Sequence, residues 1–225
     1  MKYGKQFWVD SLGKGWAMQL KDTLKSPYGN KLMEFLDVQY AMNKVYPHKD
    51  YIFSSFKLCP WEDLKIVIIG DAPVTVGSPN GLAYGNDANS MFFGPEVQKI
   101  YDCISKEYYS DSINLEFDFS LRSWARQGVL MLNTSLTRTN DTFHSKQWNK
   151  FINAVLNAIN DHCPGTIFML WGNYRNLKNS INKNNYVLEY DAIEDYIYTE
   201  KDWNCPNFKE ADKILLNLNN EVIKW

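Results

Sequence analysis

The chain has 225 residues, 45% hydrophobic and 22% charged, with a formal net charge of −2. This suits one domain that buries its own core; the 15% aromatic share excludes a disordered chain, and the near-neutral balance excludes a histone-like basic binder or an acidic tail protein. No stretch approaches the ~18 consecutive apolar residues of a membrane span, and Met1-Lys2-Tyr3-Gly4-Lys5 leads into no long apolar run, so neither a membrane anchor nor a signal peptide is expected.

The first third reads as helical. Gly15 to Leu20 and Asn30 to Leu36 place apolar residues three and four apart. A loop with Pro47 and His48 follows. Lys65-Ile66-Val67-Ile68-Ile69, ending at Gly70, is a short β-branched run of the kind that forms a buried parallel strand. Pro95 to Ile104 is predicted helical, with proline in its first turn. Arg126 to Asn133 gives a second buried strand. Trp148 to Asn160 is a helix with Phe151, Val155 and Ile159 on one face. Thr166 to Gly172 is a third strand stopped by its glycine, Tyr186-Val187-Leu188 a fourth, and Phe208 to Leu218 a last helix. No repeat, low-complexity tract or linker interrupts the pattern, so residues 1–225 are expected to form a single domain.

Strands alternating with helices imply an α/β fold: a three-layer sandwich with a central, mostly parallel four-stranded sheet flanked by helices. Ligands in such folds bind beyond the carboxyl ends of the strands. After the first strand, Gly70-Asp71-Ala72-Pro73-Val74-Thr75-Val76-Gly77-Ser78-Pro79-Asn80-Gly81-Leu82-Ala83-Tyr84 is rich in glycine and proline. It is no phosphate-binding P-loop, because no Gly-Lys-Ser/Thr follows, and an ordinary βα turn accounts for it equally. After the second strand comes Asn133-Thr134-Ser135-Leu136-Thr137-Arg138. An asparagine there offers an acceptor and two donors that match the amide edge of a base; capping a loop would serve it as well.

Charge and cysteine add little chemistry. Glu189 to Asp202 holds six acids against Lys201, a local −5 that leaves +3 on the rest of the chain. Cys59, Cys103, Cys163 and Cys205 form no CxxC pair and no zinc spacing, so reduced cysteines packed as small hydrophobes, no metal and no cofactor are expected. His48, His144 and His162 are isolated and read as loop or surface histidines. Four arginines against many lysines and asparagines suggest an AT-rich, viral coding source.

Four blocks, in order, resemble family 1 uracil-DNA glycosylase over nearly the whole chain. Pro60 through Gly70 is similar to the strand entering that family's water-activating loop. Ser123 to Thr137, SWARQGVLMLNTSLT, resembles its WA-x-QGVLLLN-x-x-LT block, Ile167 to Tyr174 its VFLLWG strand, and Phe143 to Trp148 the polar lead into the following helix. The resemblance implies the glycosylase fold and a base pocket made by Asn133, Tyr84, Asp71 and Val74. Tyr84 falls where the family stacks a phenylalanine on the flipped base. Pro95, Ser135, His144 and Tyr196 become DNA-contact candidates.

The departures fall on the catalytic motifs. The family loop Gly-Gln-Asp-Pro-Tyr-His is here Gly70-Asp71-Ala72-Pro73-Val74-Thr75, so the carboxylate that orients water falls on Ala72 and the tyrosine that excludes thymine on Val74. The His-Pro-Ser-Pro-Leu-Ser motif is here Ala192-Ile193-Glu194-Asp195-Tyr196-Ile197, with Ala192 in place of histidine and Tyr196 at the wedge. Glycosidic cleavage needs charge aimed at a cationic sugar and an anionic base, and losing one such group commonly costs roughly 10²–10³ in rate. Asp71 is the one neighbouring substitute.

From these departures the expected function is a glycosylase-like protein that has lost base excision. It would serve as a DNA-associated or protein-binding module in replication or repair, inside the cell in cytoplasm, nucleoid or nucleus, or in a host cell if viral. Weak DNA contact, or a protein partner at the acidic Glu189–Asp202 segment, would follow. The alternative is an active DNA glycosylase of altered specificity, with Val74 leaving room for a 5-substituted uracil.

Overall fold

The computed structural model describes residues 3–110 and 117–225; Met1 and Lys2, part of the stretch read for a leader, lie outside them. Helices α1 (Lys5–Leu12), α2 (Lys14–Gln19), α3 (Lys21–Lys25), α4 (Pro27–Met42) and α5 (Ser54–Leu58) precede the first strand. Strand β1 (Ile66–Gly70) is followed by α6 (Pro95–Tyr109), α7 (Arg122–Arg126), β2 (Val129–Asn133), α8 (Ser145–His162), β3 (Ile167–Trp171), β4 (Tyr186–Tyr190) and α9 (Asn207–Asn217). All strand pairs are parallel, in the order β2-β1-β3-β4. The expected four-stranded α/β architecture is therefore observed, and the sheet is wholly parallel.

Strands β1, β2 and β3 are buried on both faces because both faces are covered, whereas the edge strand β4 is only partly buried. Side chains alternate along a strand, so Val67, Ile69, Leu130, Leu132, Phe168 and Leu170 pack under the N-terminal helices and α8. Ile66, Ile68, Val129, Met131, Ile167, Met169 and Trp171 face α6, α7 and α9. Each fully buried Ile or Leu contributes on the order of 1.5–3 kcal/mol of burial free energy. In α8, Trp148, Phe151, Ile152, Val155 and Ile159 are buried, while Lys146, Lys150 and Asn153 face outward, as a helix covering a sheet requires. Among the described residues no helix is long and apolar enough to cross a membrane.

The strand order fixes where a ligand can sit. From β1 the chain crosses to β2 on one side, and from β3 it continues to β4 on the other. The reversal falls between β1 and β3, and open α/β sheets bind their ligands beyond the carboxyl ends of the strands at such a point. In the same register Gly70, the last residue of β1, pairs with Asn133, the last of β2.

Candidate active site

Alternation places Ile66, Ile68 and Gly70 on one face of β1. Gly70 contributes no side chain, and the space is taken by its neighbours. A Cβ on Gly70 would lie 2.7 Å from Asn133 Oδ1, 2.9 Å from Ala83 Cβ and 3.6 Å from the Tyr84 ring. Asn133 follows the same alternation on β2 and reaches this spot. It is 1% exposed, and neither its amide nitrogen nor its amide oxygen has a hydrogen-bond partner among the described residues. Leaving such a group buried and unpaired costs roughly 1–3 kcal/mol. Folded proteins rarely keep one without a use for it.

Tyr84 is delivered by a loop pinned at several points. Asn80 Oδ1 accepts from the Leu82 N–H, and Asn80 Nδ2 donates to the carbonyls of Asn86 and Ser120. The Ala83 N–H donates to the Met131 carbonyl of β2, and Ser55 Oγ lies within bonding distance of the Gly81 and Met131 carbonyls. Tyr84 itself has φ 62°, a left-handed conformation unusual for a bulky residue. Its ring lies 5.8 Å from that of Trp171 at the end of β3, and the Trp171 indole donates to Asn207 Oδ1. Burial first, then the charges of Glu194, Glu96 and Asp71, hold the Tyr84 hydroxyl well above its ordinary range. Tyr84 is therefore a neutral, rigid wall.

The backbone after β1 is stitched to that after β2. Thr134 N–H donates to the Gly70 carbonyl and Ser135 N–H to the Asp71 carbonyl, both at 2.9 Å. The Asp71 side chain turns outward and accepts a hydrogen bond of 2.9 Å from the Tyr174 hydroxyl. That hydroxyl lies 3.3 Å from Thr134 Oγ1, which donates to the Asp71 carbonyl. Burial chiefly, then the Asp71 charge, raises Tyr174 so that it keeps its proton. Tyr174 and Thr134 were not singled out from sequence; the available signal was their position just past the carboxyl ends of β3 and β2.

Alanines stand at the two degenerate catalytic positions. Ala72 follows Asp71 in the half-buried part of the loop. Ala192, beyond β4, packs on the close approach of Gly172, where an added Cβ would meet Ala192 Cβ at 2.5 Å. Pro95 is exposed at the start of α6, and Met91 and Phe92 just before it are exposed. Tyr196 is half-exposed, its hydroxyl donating to Asp191.

Two expected DNA contacts need correction. Ser135 is fully buried and donates to the Thr137 carbonyl. His144 is 4% exposed, neither a surface histidine nor a strand contact. Its Nδ1 lies 2.9 Å from Thr137 Oγ1, which also accepts from the Trp148 indole, and its ring packs edge-on against Phe35. That network positions the loop after Asn133 from behind. The acidic segment is not a free tail: Asp191 pairs with Arg175, Asp202 with Lys106, and Ile193 and Trp203 are buried.

The uracil DNA glycosylase superfamily model matches residues 56–199. A protein named uracil-DNA glycosylase from Aliarcobacter butzleri is 31% identical over 216 residues, which is 93% of this chain and 99% of that one. Another from Chlamydia abortus is 30% identical over 97% of both chains. Among solved structures, mimivirus uracil-DNA glycosylase superposes with a TM-score of 0.77 at 18% identity, covering 94% of this chain and 86% of that one. These relatives overturn the expectation of a protein retired from catalysis. End-to-end kinship at this level is with proteins that bear the enzyme's name, and none of it points to a binding-only role.

Proposed function

Since this chain belongs to the uracil DNA glycosylase superfamily, we propose that it hydrolyses the N-glycosidic bond of uracil, or of a 5-substituted uracil, in DNA. The observation that carries this reading is Asn133: a side-chain amide buried at the carboxyl end of β2 beside Gly70, with both polar ends unpaired among the described residues. Uracil presents an acceptor, O4, beside a donor, N3–H. An amide answers both with its own donor and acceptor, and the cost of its burial is offset when the base arrives. Tyr84 supplies an apolar face for the ring.

In the hydrolysis, water adds to C1′ of the deoxyribose as the C1′–N1 bond breaks. The electron pair of that bond leaves with the base, which carries away a proton, and an abasic sugar remains. Asp71 is the carboxylate at the mouth of the crevice. With the Tyr174 hydroxyl fixing Oδ1, its other oxygen is free to accept from the attacking water and to offset positive charge on the sugar. Asn133 stabilises the leaving base as negative charge grows on O4. This set lacks a carboxylate at Ala72 and an imidazole at Ala192, so slow turnover is expected. A groove of about 450 Å³ continues from Thr134 and Tyr174 past Lys146, Asn149 and Asn153 of α8. Its amides and ammonium group suit a sugar-phosphate backbone.

The test is abasic-site formation in a single-stranded oligonucleotide carrying one uracil, with enzyme in excess. Wild type should form abasic sites and Asn133→Ala should be slower by roughly 10²–10³. Equal rates in the two proteins would refute the reading.

A further inference from the structure

The groove beside Thr134 does not end at Asn153. A second groove, also of about 450 Å³, continues it across α8 to Thr23 of α3 and adds Lys150 and Asn157. The two grooves share Lys146, Asn149 and Asn153, so they form one channel over the outer face of α8. Its near end is lined by Thr134 and Tyr174. Both are bonded to Asp71: Thr134 Oγ1 donates to its carbonyl and the Tyr174 hydroxyl to its carboxylate. From Ser145 to Asn157 the helix rises about 18 Å at 1.5 Å per residue. At 3.4 Å per stacked nucleotide that length covers about five nucleotides.

We propose that this channel holds the single strand that flanks the reacting nucleotide on one side, with Lys146 and Lys150 each taking a phosphate. The inference rests on the glycosylase reading and adds the path of its substrate. Charge gives the first reason. Among the described residues no carboxylate lines either groove, while two ammonium groups do, on a chain of net charge −2. Neither lysine has an ion-pair partner among the described residues. A phosphate chain supplies the missing counter-charge. Donor chemistry gives the second. Asn149 Oδ1 already accepts from Asn153 Nδ2 at 2.8 Å, so Asn149 keeps its N–H donors for a ligand, and lysine can only donate. Phosphate oxygens accept from both. Placement gives the third. The Lys150 ammonium stands 5.4 Å from the centre of the Tyr28 ring. The Tyr28 hydroxyl donates to the Gln147 carbonyl and accepts from the Phe151 N–H, which fixes that ring against α8 and holds the charge at the channel. Between the lysines and Tyr174 the floor is Ile152 and Leu156, both buried below the rim. A cationic rim over an apolar and aromatic floor matches a strand that puts phosphates at the rim and sugar and base faces on the floor.

The experiment has two arms. In the first, fluorescence anisotropy follows binding of a labelled, uracil-free strand of about 12 nucleotides at several salt concentrations. Wild type is compared with Lys146→Ala/Lys150→Ala, with Lys146→Arg/Lys150→Arg and with Lys213→Ala on α9, which covers the opposite face of the sheet. Each lysine on a phosphate contributes about 0.7 to the slope of log Kobs against log salt. The alanine pair should therefore lower the slope by about 1.4 and weaken binding about tenfold or more at low salt. The arginine pair and Lys213→Ala should hold the wild-type slope. Alanine and arginine both favour exposed helical positions, so these variants keep α8. In the second arm, excision is measured on strands whose uracil has a long or a short flank, on the 5′ side and then on the 3′ side. Lengthening one flank should lower KM several-fold in wild type, and the alanine pair should lose that gain. An unchanged slope in the alanine pair overturns the channel and leaves the glycosylase reading standing. A gain that survives in the alanine pair, or no gain from either flank, overturns it as the path of the substrate strand. If wild type excises nothing, the glycosylase reading falls and the uracil-free slope decides for the channel: a slope lowered in the alanine pair upholds strand binding on α8, and an unchanged one overturns it.

Discussion

Asp71 and Tyr174 meet across the crevice through one hydrogen bond between loops that follow different strands. If Asp71 handles the water, the two side chains should fail differently. Asp71→Asn keeps size and removes charge, and should lower kcat by roughly 10²–10⁴, the usual range for a general acid or base. Tyr174→Phe removes only the orienting bond and should cost less, about tenfold, with KM little changed. Single-turnover excision kinetics separate the two. Equal losses would mean that Tyr174 acts on the reaction directly. Asn133 could be singled out from sequence because it ends a strand block, and Tyr84 only through the family resemblance. The Asp71–Tyr174 pair was not legible, because residues 103 apart become neighbours only through the strand order. Ser135 and His144 were misread for a related reason: a polar side chain in a loop looks the same in sequence whether it meets solvent or an internal partner.

At the level of elements, the first three strands could be read directly because a parallel strand buried on both faces is a near-continuous apolar run, as Ile66–Gly70 and Ile167–Trp171 are; β4, at the sheet edge, is only partly buried and gives a shorter apolar run. The N-terminal helices were legible only in part, since α1 and α3 carry few buried residues and so little periodic signal. The junction between β2 and α8 depends on Thr137, His144 and Trp148. His144 is buried, and burial lowers its pKa from the ordinary 6.5. The folded state therefore prefers neutral imidazole, while the unfolded chain takes up a proton near the ordinary value. This contribution is complete above that value and shrinks as pH falls below it towards the folded pKa. Wild-type Tm should decline between about pH 6.5 and pH 5, and His144→Gln, less stable at neutral pH, should show a shallower decline. Parallel slopes by calorimetry would remove His144 from the account.

Across the whole molecule, charge is uneven. The segment from Glu189 to Asp202 carries −5 on a chain of −2, and Glu194 acts on Tyr84, Glu96 and Tyr174 at the crevice. A polyanion approaching this mouth meets repulsion beside the Lys146 groove. Glu194→Gln combined with Asp195→Asn should lower KM for single-stranded DNA several-fold at low salt. The advantage should fade near 0.2 M salt, where the Debye length falls below about 8 Å. A salt-independent effect, read from KM at two ionic strengths, would place these acids in direct contact with the base instead.

The central claim is that a crevice built on Gly70, Asn133 and Tyr84, with Asp71 at its mouth, performs base excision without a carboxylate at Ala72 or an imidazole at Ala192. The most direct measurement is chromatographic detection of free uracil released from a uracil-bearing single strand by folded wild-type protein in excess. Release that is slow but stoichiometric with the strand, and lost in Asp71→Asn, is the predicted result. No free uracil over a day of incubation, from protein that unfolds cooperatively and still binds the strand, would contradict it.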